Sequence, residues 1–180
     1  RTKKRRPTYR NRADPNSMSM LIHWTRIVFP DLTDISVIAD PHTGKYQAYL
    51  FVGSQPPLRI PLQSASDGTI KWLCFVGVLV SSPGTYSIEE PENFLHPRMQ
   101  QLLASLVRES VDGRQGSDHL LMSTHSETMI NQFLPEELII FQFVDGKTVA
   151  NRIHNPQSVK AEINRGGFGL GYYYTSNSLA

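Results

Sequence analysis

Apolar residues recur along this chain with two periods, and the switches between them predict its elements. Leu21 to Phe29 has helical spacing, and Pro30 ends it because a proline ring cannot continue the backbone ladder. Asp34 to Ala39 and Tyr46 to Val52, rich in β-branched and aromatic residues, predict strands joined across Asp40-Pro41-His42-Thr43-Gly44, a turn composition. Thr69 to Val80 is apolar nearly all round and long enough to favour a buried helix. Thr85 to Ile88 predicts a brief strand. Leu95, Met99, Leu102, Leu103, Leu106 and Val107 then share one face of a helix running to about Ser110. His119 to Thr124 predicts a buried strand, after which Ser126 can cap a short helix through Phe133. Leu138 to Val144 and Thr148 to Ile153 flank Asp145-Gly146, whose backbone tolerates the positive φ of a tight hairpin.

Strands alternating with helices, several strands being apolar runs, predict an α/β layered domain with a largely parallel sheet flanked by helices. Ligands in such sheets gather at the carboxyl ends of the strands. The expected organisation is a basic polar leader over residues 1–20 followed by one domain over residues 21–180.

Charge sharpens that division. The net charge of +2 hides seven Lys and Arg against one Asp up to Met20, so the leader is +6 and the remainder −4. A basic run of this kind can follow DNA or RNA phosphates, although only Tyr9 is at hand to stack on bases; the alternative is a solvated loop. The longest apolar run, Trp72 to Val80, is well short of the roughly 20 residues a membrane-spanning helix needs, and no signal peptide opens the chain. With one cysteine, Cys74, inside that run and expected to be buried and inert, the reading is a cytoplasmic protein with no membrane partner. The chain opens on Arg1, which is read as a sign that residues precede it.

The chemistry concentrates at two strand ends. Ile88 hands over to Glu89 and Glu90, and Thr124 to His125. Adjacent acids on an extended chain point in opposite directions, so one can serve a metal's coordination shell while the other orients or deprotonates a water, as phosphoryl transfer demands. Solvation alone does not explain the Pro91-Glu92-Asn93-Phe94-Leu95-His96-Pro97 that follows. Upstream, Ser66-Asp67-Gly68-Thr69 places a hydroxyl and a glycine at a predicted helix start, where N–H groups and the positive dipole end suit a phosphate. Asp67 would be repelled by a γ-phosphate and is expected to cap the helix instead. His119 and His125 lie about 20 Å apart along a strand, too far to share a metal ion.

Ile88-Glu89-Glu90-Pro91-Glu92-Asn93-Phe94-Leu95-His96-Pro97, with Ser66 to Thr69 before it and Ser123-Thr124-His125-Ser126 after it, resembles the C-terminal half of ABC-type ATPases of the RecF, SMC and OLD group. The resemblance covers roughly Ser66 to Asn131. It implies a P-loop NTPase fold, ATP and Mg2+ as cofactors, Glu89 as the walker B residue holding magnesium, and Glu90 as the catalytic residue that polarises water. It makes Ser66, Asp67, Gly68 and Thr69 the signature motif, Asn93 to His96 the D-loop, and His125 the switch histidine contacting the γ-phosphate. A P-loop itself is absent. Gly44-Lys45 has Ala39 where the first glycine should be, and Gly146-Lys147-Thr148 has Phe141 there. Either an upstream half or another chain is expected to supply the P-loop, so the site is read as composite and this chain as inactive alone, with a second ATPase subunit in a head-to-tail dimer as partner.

Arg165-Gly166-Gly167-Phe168-Gly169-Leu170-Gly171-Tyr172-Tyr173-Tyr174 lacks dinucleotide-loop spacing. It reads either as a docking surface or as tyrosines packed on their own domain, and it is similar to the endings of ATPases in Septu and retron anti-phage systems. That likeness implies a nuclease effector as partner. The alternatives are a RecF-like DNA repair ATPase and an ATP-bound scaffold with negligible turnover.

Overall fold

The computed structural model describes residues 15–39, 43–81, 84–112 and 119–176. The predicted Asp40 to His42 part of the first turn, the leader up to Asp14 and the segment before His119 lie outside them. The chain divides into two compact units, Arg1–Ser66 with Leu73–Ser82, and Asp67–Trp72 with Pro83–Ala180.

In the first unit, helix α1 (Pro15–Val28) begins inside the stretch read as leader, with proline at its first position, where no intrahelical N–H is needed. Ser17 Oγ donates to the Val80 carbonyl at 3.1 Å, and Arg26 Nε donates to the Leu32 carbonyl at 2.8 Å. Strands β1 (Leu32–Ala39), β2 (Tyr46–Val52) and β3 (Leu58–Pro61) form an antiparallel meander in that order. Trp24, Leu32, Leu50, Val76 and Leu79 are its buried apolar residues. Helix α2 (Asp67–Ser81) contributes its first six residues to the second unit and the rest to the first. It is not buried all round. Val78 is 47% exposed and Cys74 is exposed, so the expectation of a buried thiol is corrected.

In the second unit, β4 (Tyr86–Glu89) pairs in parallel with β5 (Leu120–Ser123), the two being joined through helix α3 (Pro97–Asp112). Glu89 stands opposite Ser123 at the carboxyl ends. Helix α4 (Glu127–Ile130) follows, with Ser126 Oγ capping it by accepting from the Met129 N–H. Strands β6 (Ile139–Val144) and β7 (Lys147–Arg152) form a hairpin through Asp145 and Gly146, at φ 49° and 76°. Helices α5 (Pro156–Gly166) and α6 (Leu170–Thr175) complete the unit.

The α/β class holds, but among the described residues parallel pairing is confined to β4 and β5. These are the paired strands that a helix connects. The other pairs are joined by short turns, which impose the antiparallel sense. With a single partner strand, β5 is half-buried, and Leu121 is 58% exposed rather than covered.

Candidate functional site

The strand β4 ends at Glu89 because Glu90 leaves the extended region, at φ 41°. A left-handed backbone costs a non-glycine residue on the order of 1–2 kcal/mol, so it persists only where the surroundings hold it. Four contacts do. The Glu90 N–H donates to the Ser123 carbonyl at 3.1 Å and to Ser123 Oγ at 3.3 Å, while its carbonyl accepts from Lys71 Nζ at 3.1 Å and from the Asn93 N–H at 3.2 Å. The separation of the two acids is thus set by a bend in the backbone and not by strand alternation. Glu90 Oε2 accepts from Asn93 Nδ2 at 2.9 Å.

Pro91, fully buried, starts the turn over residues 91–94, which closes as the Leu95 N–H donates to the Glu92 carbonyl at 2.9 Å. Phe94 has φ 67°, a 73% exposed ring, and a carbonyl facing Gly68: a Cβ added at Gly68 would sit 2.6 Å from that oxygen. Gly68 is therefore required by the turn packed against it, before any ligand is considered. Asp67 is the first residue of α2 and not its cap, and its carboxylate lies where the dipole favours negative charge. Ser66 immediately precedes the helix, and Thr69 is half-buried in the first turn.

From the other strand, the His125 N–H donates to Glu92 Oε1 at 2.8 Å, so the acid loop grips the histidine's backbone. Glu92 Oε2 is buried with no hydrogen-bond partner. The His125 ring places Nδ1 3.1 Å from Tyr174 Oη of α6. Ser126 Oγ also donates to Gln100 Oε1 at 2.6 Å, and the buried Gln100 gives its Nε2–H to the Leu95 carbonyl at 2.9 Å. These bonds tie the turn after β4, helix α3 and the start of α4 into one network.

The structure thus links Gly68, Glu90, Asn93 and His125 through the turn over residues 91–94. His96 takes another part: its Nδ1 accepts from the Arg98 N–H at 3.3 Å at the start of α3. Glu89, Glu90, Asn93, His96 and His125 are exposed. Lys71 and Gln100 carry no sequence signal and are found only through long-range contacts, whereas Glu92, Ser123 and Tyr174 lie in stretches singled out by sequence without a role of their own there. Ionisation is shifted elsewhere in this unit. The hydrogen bonds from Arg108 hold the Glu137 carboxyl below its usual range, with Arg108 Nη2 2.7 Å from Glu137 Oε2.

Among the described residues no three His, Cys, Asp or Glu side chains converge as a metal cage. A magnesium ion carried with phosphates needs only one or two protein carboxylates. The Glu89 carboxylate suits that, since it is exposed and engages no described side chain.

Residues 46–131, just under half of the chain, match the family described as "AAA domain, putative AbiEii toxin, Type IV TA system". No curated protein matches the sequence. Among solved structures, one from work on "ATP-driven dimerization and DNA stimulated activation of SMC ATPases" is 16% identical with a TM-score of 0.51, over 83% of this chain and 94% of that one. The Smc head of Pyrococcus furiosus bound to the C-terminal domain of ScpA is 16% identical with a TM-score of 0.56, over 82% of this chain. The Smc head of Pyrococcus yayanosii is 14% identical with a TM-score of 0.58, over 83% of this chain. The chain spans 37% and 29% of those two Pyrococcus chains. These solved structures share the fold of an SMC-head P-loop NTPase with this chain, and the matched segment is similar to an AAA domain.

Proposed function

We propose that this chain is part of an ABC-type ATPase that binds and hydrolyses ATP in a composite site, and that it serves an anti-phage defence complex controlling a nuclease. The observation that carries the ATPase reading is Glu90, held at φ 41° by Ser123, Lys71 and Asn93 at the carboxyl end of β4. The same bend that leads into the buried turn at Pro91 aims the exposed Glu90 carboxylate away from the strand.

In this reading Glu89 faces the magnesium ion, which when bound offsets phosphate charge. Asn93 occupies Glu90 Oε2 and leaves Oε1 to orient a water and take its proton. His125 turns a ring N–H to the terminal phosphate. Ser66, Gly68 and Thr69 at the start of α2 meet the nucleotide of a second subunit, whose binding brings the two copies together head to tail. The exposure of Ser66, Glu89, Glu90, Asn93 and His125 fits a site closed by a partner surface.

Glu90→Gln in the complete protein, assayed together with whatever chain supplies the P-loop, keeps the hydrogen bond from Asn93 in reach and removes the base. The expected result is ATP binding retained, turnover lowered about 100-fold or more, and an ATP-bound dimer that persists on size exclusion. Turnover equal to wild type removes Glu90 from its role. A wild-type protein that retains ATP without releasing phosphate favours the scaffold instead. The defence assignment is supported by the AbiEii-type family description and by the sequence likeness to Septu and retron ATPases. It is tested by co-purification of a nuclease and by loss of plaque reduction in the Glu90→Gln strain.

A further inference from the structure

We propose that Tyr174 is a positioning residue for His125, fixing the ring so that Nε2–H points outward as the phosphate donor. The inference rests on the reading of His125 as the γ-phosphate contact and adds to it a residue 49 positions downstream.

A phosphate oxygen can only accept, so the histidine must offer it an N–H. In a neutral imidazole one nitrogen donates and the other accepts, and the partner of one nitrogen decides the state of the other. Tyr174 Oη lies 3.1 Å from His125 Nδ1. When the phenol donates to Nδ1, the proton of the ring resides on Nε2, which is the useful tautomer. The ring is then held at one edge and the backbone at the other, through the His125 N–H on Glu92 Oε1.

The phenol is itself immobilised. Tyr173 and Tyr174 pack against the cluster of Ile130, Ile153 and Leu170. The Gly171 N–H donates to Asn131 Oδ1 at 2.7 Å, and a Cβ at Gly171 would stand 2.7 Å from the Glu127 Cα. Helix α6 therefore sits against α4 at backbone contact distance, directly after the His125-Ser126 corner. A tyrosine placed this way acts at low entropic cost because packing has already ordered it.

The test uses the complete protein labelled with nitrogen-15 in histidine, assayed together with whatever chain supplies the P-loop, comparing wild type, Tyr174→Phe and His125→Ala. Phenylalanine preserves the packing and deletes the hydroxyl. Tyr174→Phe is expected to keep the melting temperature, lower kcat about five- to tenfold with KM for ATP within about twofold, and change the His125 nitrogen shifts from a single Nε2–H tautomer to a mixture. Reduced turnover with unchanged His125 shifts overturns the positioning role. Wild-type kcat in Tyr174→Phe, with His125→Ala inactive, overturns it while leaving the histidine's assignment intact. Wild-type turnover in His125→Ala overturns both.

Discussion

At the scale of single residues, the site is organised by backbone demands that side-chain chemistry then uses. Gly68 illustrates this. Sequence reasoning assigned it to close approach of a phosphate, but the structure shows the Phe94 carbonyl already occupying the space a methyl would need. Gly68→Ala must therefore push either the start of α2 or the turn over residues 91–94, at a cost of roughly 1–3 kcal/mol. The expected outcome is a melting temperature several degrees lower together with reduced turnover, measured by calorimetry and phosphate release in the same preparation. A variant as stable and as active as wild type would mean that the turn yields freely. Glu90 could be read as chemical from its neighbours in the sequence, but its positive φ could not, since Glu has no preference for that region.

At the scale of elements, short segments are secured by a few long-range bonds more than by their own propensity. Helix α3 is tied to the residues before β6 by Arg108, whose Nη1 and Nη2 donate to Glu137 Oε1 and Oε2 at 2.9 and 2.7 Å and whose Nη2 also reaches the Gln132 carbonyl at 2.9 Å. Both partners are partly exposed, so screening limits the pair to about 1 kcal/mol at neutral pH. The sign of its pH dependence follows from the lowered Glu137 pKa. Its stabilisation is complete above the ordinary carboxylate range and is lost as pH falls through the lowered value. Glu137→Gln should thus be less stable than wild type at pH 7, with the gap closing in acid denaturation series below about pH 4. A gap independent of pH would show that packing, and not charge, accounts for it. The hairpin of β6 and β7 was legible from Asp145-Gly146, because a tight turn is a local requirement. Helix α5 escaped despite local signals, Asn155 as its cap, Pro156 at its start and Gly167 at its end, whereas α6 escaped because a glycine-rich, tyrosine-rich run has no helical signal of its own. Gly169 and Gly171 there serve contact with Asn131 and Glu127.

At the scale of the whole molecule, the charge divides between a segment of +6 up to Met20 and a remainder of −4. The basic residues up to Arg12 lie outside the described residues, and their effect is open to measurement. On the RecF-like reading, deleting residues 1–12 weakens duplex DNA binding and flattens its salt dependence, read as the slope of log affinity against log salt concentration; on the solvated-loop reading it changes neither. An unchanged slope would assign any DNA contact to other parts of the chain. No helix of the described residues is long and apolar enough to cross a membrane.

What the sequence determined by itself was local: the type of most elements, the hairpin turn and the cap at Ser126. Helical spacing, turn chemistry and motif order depend on neighbours within a few positions, so they survive without a partner surface. Tertiary structure decided the rest. The confinement of parallel pairing to β4 and β5, the exposure of Cys74, the bend at Glu90, the packing of Gly68 on Phe94 and the reach of Tyr174 to His125 each depend on segments tens of residues apart. Such contacts depend on how whole elements stack, and no window of sequence contains both of their halves.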